Sequence, residues 1–262
     1  MTDSEPTRAI DLRVEVPGTP EEVWEAIATG PGITAWFVPA TVTEEGGERT
    51  LSLDFGAEFG TSTGPVTAYE PPHRMVHTSE MKGRTLAFEY LVEATDGGTC
   101  VVRLVNSGFG TEPDWDGEFH AMTAGWTLFL DVLRLYLTHF PGQHCSSIVV
   151  HGVAPGSQEE AFAAMAAALH IPAAGPGERV EVGGGDAPVL AGVVSDRTAN
   201  KLTLRTDEPG GGLAFVYAEG AGDGAMTSVY AYLYGEDATA TADRERPGWQ
   251  AWMRKTFPMS QE

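Results

Sequence analysis

Residues 10–16 alternate apolar and polar side chains, the period of a half-buried strand, and Thr19-Pro20-Glu21-Glu22 then opens the amphipathic run Val23-Trp24-Glu25-Ala26-Ile27. The pattern predicts a strand feeding a capped helix. It then recurs: residues 146–154 are again strand-like, and Ser157-Gln158-Glu159-Glu160 opens a helical run over 161–169. In both places a hydroxyl residue stands three before a Glu. In this capping-box spacing each side chain satisfies a free amide of the first helical turn. The two halves also close alike, with Gly125-Trp126 in an apolar stretch reaching Phe140 and Gly248-Trp249 in a shorter one reaching Phe257. The interval from Glu-Glu to Gly-Trp is about fifteen residues shorter in the second half. We read a duplicated α+β unit whose second copy has lost a segment.

Between the first capped helix and the long apolar stretch the period changes. After a short helical turn around 33–37 come six β-like runs, at 40–43, 50–55, 64–69, 74–78, 86–92 and 100–106. Gly46-Gly47, Pro71-Pro72, Lys82-Gly83 and Asp96-Gly97-Gly98 punctuate them, which predicts an antiparallel meander. Over 115–140 the spacing becomes helical again, with Phe119, Met122, Trp126, Phe129, Leu130, Leu133 and Leu137 on one stripe. The fold class expected is α+β, a curved antiparallel sheet around a long C-terminal helix, followed by the shortened copy. The predicted domains are 8–141 and 145–258. In the second, Gly183-Gly184-Gly185 and Gly210-Gly211-Gly212 read as hairpin turns, and Tyr230, Tyr232 and Tyr234 alternate with apolar residues so that three phenol rings share one strand face. Such a row belongs at a boundary. A short closing helix is expected over 245–253.

At 262 residues, 42% of them hydrophobic, the chain has material for two cores. Its 37 acidic against 16 basic residues give a formal net charge of −21, which argues against nucleic acid and anionic membrane surfaces as partners. No apolar run approaches the roughly 20 residues of a membrane span. Residues 1–7 are polar and are expected to be disordered. Cys100 and Cys145 form no CxxC or Cys/His cluster, so buried inert thiols are expected, no zinc site and a reducing, cytoplasmic setting.

Several motifs match a known pattern: Pro20-Glu21-Glu22-Val23-Trp24, Ile33-Thr34-Ala35-Trp36-Phe37, Asp54-Phe55-Gly56, Thr63-Gly64-Pro65-Val66, Pro71-Pro72-His73-Arg74 and Gly125-Trp126 with its leucine-rich tail. Together they resemble the SRPBCC (START-like, helix-grip) superfamily, and within it the activator of Hsp90 ATPase homologue family, over residues 10–140. The second half matches in outline only and lacks a counterpart of Trp36-Phe37. The resemblance implies a helix-grip fold. It does not imply one activity, since members include carriers of hydrophobic ligands, polyketide aromatase/cyclases and co-chaperone domains. The matched positions are mainly turns and packing sites, so no catalytic residue carries over.

A sheet gripping a helix encloses a space that either fills with side chains or stays open as a pocket. The side chains expected to face it are Trp36 and Phe37 at its mouth, Phe55, Phe88 and Tyr90 from the strands, and Phe119, His120, Met122 and Trp126 from the long helix. Core packing accounts for the same residues. His120 is an acid or base without a neighbour placed to orient it. His73 and His77 stand too far apart along a strand to chelate a metal, and neither glycine triplet has the Lys-Ser/Thr of a phosphate loop. No cofactor or metal is expected. The function expected is binding of a hydrophobic or aromatic small molecule in the first domain. The alternatives are a protein-interaction module of the Hsp90-activator kind and, more weakly, a cyclase- or hydrolase-type enzyme.

Overall fold

The computed structural model describes residues 7–56, 59–221 and 224–259. The expectation for residues 1–7 therefore lies outside the described residues, apart from Thr7, which opens the first strand. The chain divides into two compact units between Gly142 and Gln143.

In the first unit, β1 (Thr7–Pro17) leads into α1 (Pro20–Ala28) and α2 (Gly30–Thr34). Six strands follow, β2 (Ala40–Glu45), β3 (Glu48–Asp54), β4 (Thr61–Glu70), β5 (Arg74–Met81), β6 (Arg84–Thr95) and β7 (Thr99–Gly110). A 3-10 turn at Pro113–Trp115 enters α3 (Asp116–His139). The strands form one antiparallel sheet in the order β1-β7-β6-β5-β4-β3-β2. Turn chemistry sets its register. Lys82 (φ 49°) and Gly83 (φ 73°) both adopt the left-handed region that a two-residue hairpin matching the strand twist requires. That turn places Phe88 opposite His77 and Tyr90 opposite Met75. Gly64 permits a close strand approach, because a Cβ there would meet the Thr78 carbonyl oxygen at 1.8 Å.

The second unit repeats the scheme with β8 (Cys145–Pro155), α4 (Gln158–Ala168), β9 (Arg179–Gly184), β10 (Ala187–Arg197), β11 (Lys201–Glu208), β12 (Gly212–Ala221), β13 (Gly224–Tyr234) and α5 (Ala238–Thr256). Its sheet order is β8-β13-β12-β11-β10-β9. In each unit the first strand pairs with the last, a capped helix follows the first strand, and a closing helix ends the unit. Among the described residues the second copy has six strands against seven, nothing in the place of α2, and a closing helix of 19 residues against 24. Both capping boxes form. The Glu22 amide donates to Thr19 Oγ1 at 3.3 Å and the Glu160 amide to Ser157 Oγ at 3.2 Å, while each Glu carboxylate accepts from the cap amide at 2.8 Å. The protein is thus α+β, a tandem of helix-grip units of which the second is shortened.

Two expectations need correction. The closing helix of the second unit begins at Ala238, not near 245, and carries Pro247 inside it. A proline in a charged stretch signals a helix start, yet here the lost amide bond is offset by burial of Trp249, Trp252 and Met253 one turn later. The apolar stripe of α3 is also narrower on paper than in the molecule. Leu128, Val132 and Tyr136 are buried along with the predicted Trp126, Phe129, Leu130, Leu133 and Leu137, whereas Phe119 and Met122 toward its start are only half-buried.

Candidate ligand-binding site

The concave face of the first sheet is built by alternation. His77 on β5, Phe88 on β6 and Asn106 on β7 fall in one cross-strand row, with Tyr90 two residues along β6. Above them α3 presents Trp126, whose ring centroid lies 5.9 Å from Phe88 and 6.2 Å from Tyr90. Trp126 Nε1 donates to Asn106 Oδ1 at 3.3 Å, and Asn106 Nδ2 donates to the Ala87 carbonyl at 3.1 Å, so these buried polar groups satisfy one another.

Phe37, carried in after α2, stands at the hub. Its ring lies 5.0 Å from Trp126, 4.6 Å from Phe129, 5.8 Å from Trp36 and 5.8 Å from Phe55. Such edge and offset contacts suit the ring quadrupoles. Trp36 is not at a mouth. It is fully buried and its Nε1 donates to the Ala26 carbonyl at 2.9 Å, tying α2 back to α1. Phe55, one residue beyond β3, is the half-buried ring that brings the cluster toward solvent.

The structure therefore brings together Phe37, Phe55, Phe88, Tyr90 and Trp126, with Trp36 behind them. It places two other candidates elsewhere. Phe119 packs on Phe109 at 5.2 Å beneath the Arg8 guanidinium at 4.6 Å, and His120 is exposed on the early turns of α3 rather than inside, while Met122, one turn before Trp126, is half-buried. Sequence reasoning missed His77, Asn106 and Phe129. Phe129 reads from the sequence as part of the α3 stripe alone. His77 carries a readable signal, because the Lys82-Gly83 turn fixes its pairing with Phe88, and Asn106 follows from the Asp96-Gly97-Gly98 turn between β6 and β7.

His77 stacks on Phe88 at 4.7 Å with 5° between planes and on Tyr90 at 6.1 Å with 18°. Burial pushes its imidazole down to about 4 and pushes the Tyr90 phenol far above its ordinary range, because each charged form would lose water without gaining a partner. Both groups are neutral near pH 7. Cys100 and Cys145 are free and buried, and burial raises both thiols. Among the described residues, no three His, Cys, Asp or Glu side chains gather as a metal site, and no helix is long and apolar enough to cross a membrane. A groove of about 420 Å³ lies along β2–β4, lined by Glu44, Arg49, Thr50, Pro65 and Tyr69 among others; it is polar and does not belong to the aromatic cluster.

A sheet, two short helices and a gripping helix around buried rings define the class, a helix-grip protein of the SRPBCC type. The family model for polyketide cyclase / dehydrase and lipid transport matches residues 7–137, and the chain belongs to that family. No curated protein matches the chain. Among solved structures, DynU16, titled a putative protein in the dynemicin biosynthetic locus, is 21% identical, with 94% of this chain and 95% of that chain covered and a TM-score of 0.43. The di-domain ARO/CYC BexL from the BE-7585A biosynthetic pathway is 15% identical, with 97% and 100% covered and a TM-score of 0.47. The Aha1 dimer from Colwellia psychrerythraea is 20% identical, with 50% and 96% covered and a TM-score of 0.37.

Proposed function

We propose that the first unit, residues 8–141, binds a hydrophobic or aromatic small molecule between its sheet and α3, and that residues 145–258 form a second domain without that role. One observation carries this reading. Phe55, Phe37, Trp126, Phe88 and His77 form a continuous ring surface, with successive centroids 5.8, 5.0, 5.9 and 4.7 Å apart, that runs from a half-buried edge to a buried imidazole. A flat guest entering beside Phe55 replaces ring-on-ring contacts with equivalent ones and buries its own apolar area. The family's description, which joins polyketide cyclisation with lipid transport, supports a small-molecule role. The two free buried thiols favour a reducing cytoplasm as the setting.

Displacement of a fluorescent apolar dye by a panel of aromatic and aliphatic compounds, with native mass spectrometry of the purified protein, tests this. Saturable binding of one aromatic guest per chain is expected, weakened at least about fivefold by Phe55→Ser through lost ring contact. Absence of any saturable guest would overturn the reading and turn attention to a protein partner at the surface.

A further inference from the structure

His77 and Tyr90 stand out within the ring surface because no hydrogen bond to their polar atoms forms among the described residues. Each residue is 4–6% exposed or less, as is Phe88 between them. Neither side chain makes a hydrogen bond among the described residues, and burial alone accounts for the shift of each. Their neighbours Trp126 and Asn106 are paired with each other. Among the described residues the side-chain atoms sealed from solvent with no partner are Arg8 Nη2, Ser147 Oγ and Trp249 Nε1, so the polar atoms of His77 and Tyr90, which make no bond and are not among them, keep a small open surface. A phenylalanine fills either shape without an unpaired polar group. Two such groups side by side are suited to something outside the chain.

We infer that His77 and Tyr90 form the polar end of the ligand site and hold an uncharged carbonyl or hydroxyl oxygen carried on the guest's ring. The inference rests on the small-molecule reading above and adds the chemistry of the guest. A neutral imidazole offers one donor and one acceptor, and a phenol offers both, which suits a single neutral oxygen. It does not suit an anion. Arg49 shares the register row of His77 across Val66, but Glu44 and the Tyr69 ring, 3.5 Å beneath its guanidinium, already engage it. A buried carboxylate or phosphate would lose its water with no cation in return, inside a chain of formal charge −21.

Three probes of equal ring size separate the possibilities: naphthalene, 2-naphthol and 2-naphthoate, measured by calorimetry on the full chain and on the variants His77→Phe and Tyr90→Phe. The wild-type chain is expected to bind 2-naphthol about tenfold more tightly than naphthalene, the worth of one or two buried neutral hydrogen bonds, and 2-naphthoate weakest of the three. Each variant should bring 2-naphthol close to naphthalene while leaving naphthalene unchanged, and should melt at the same or a higher temperature. Equal binding of naphthalene and 2-naphthol by the wild type, a preference that survives in both variants, or tight 2-naphthoate binding would overturn the polar pair and leave the ring-lined site standing. A lower melting temperature in both variants would assign the two groups to structure and overturn their ligand role. Binding of neither naphthalene nor 2-naphthol would overturn the site itself and the inference with it.

Discussion

The two units share a topology and differ in what each sheet shows its closing helix. In the first, β5–β7 present His77, Phe88, Tyr90 and Asn106 toward Trp126 of α3. In the second, the face packed with α4 and α5 is aliphatic, with Ile148, Val150, Leu202, Leu204, Val216, Val229 and Leu233 against Trp249, Trp252 and Met253. Its rings lie on the opposite face, where Phe215 stacks on Tyr230 at 4.6 Å and Tyr232 follows at 6.5 Å. Duplication preserved the hydrogen-bonded frame and exchanged the sheet faces that carry aromatic and polar groups. A core of branched aliphatics packs to native density and stays dry. The first unit instead sets an imidazole and a phenol, which make no hydrogen bond among the described residues, beneath its closing helix, while the second seals Ser147 Oγ and Trp249 Nε1 away without partners.

The sharpest way to break this comparison is Trp126→Ala, which removes the ring joining helix to sheet and should cost about 3–5 kcal/mol, read from denaturant unfolding of the full chain. An unchanged midpoint would show that the ring group does not hold the first unit together. Next is pH. The unfolded His77 imidazole takes a proton as pH falls below about 6.5, while the folded one resists until about 4. The unfolded state therefore binds more protons in that window. Full stability is present above it, and about 3 kcal/mol is lost on descending through it. His77→Phe should remove that slope; a slope that persists would place its origin elsewhere.

A smaller contrast sets the two tryptophans against each other. Trp126 Nε1 is paired with Asn106, whereas Trp249 Nε1 is buried with no partner among the described residues. Trp126→Phe should cost about 1–3 kcal/mol beyond the volume change because it strands the Asn106 carbonyl oxygen, while Trp249→Phe should cost less because it removes an unmet donor. Equal losses by thermal unfolding would erase the distinction between a wired and a dry interior. Least of all is Gly125→Ala. A side chain there meets nothing within 4 Å, so the change should stabilise α3 by about 0.5–1 kcal/mol through backbone entropy, measurable as a small rise in melting temperature.

Much of this was written along the chain. The meander, the capping boxes and the tandem follow from local periodicity and turn residues, which act within a few positions of themselves. So does half of the ring cluster, because Phe88 and Tyr90 alternate on a strand and Trp126 lies on an apolar helix stripe. What failed were inferences about solvent. Spacing along the chain puts Trp36 and Phe37 at a mouth and His120 inside, whereas the first two are buried and His120 is exposed, since spacing gives a residue's neighbours on its own element but not what lies over it. His77 reads along its strand only as a neighbour of His73, yet the Lys82-Gly83 hairpin aligns it with Phe88.

Short-range periodicity along the chain fixes the elements, their order and the two-fold repetition, because each depends on residues only a few positions apart. Which polar groups find partners follows from how the strands and α3 come together in space. Asn106 meets Trp126 across 20 residues of chain, while His77 and Tyr90 make no hydrogen bond among the described residues. Hydrogen-bond satisfaction in an interior is a property of three-dimensional neighbours, and those neighbours come from different strands and from the helix laid across them.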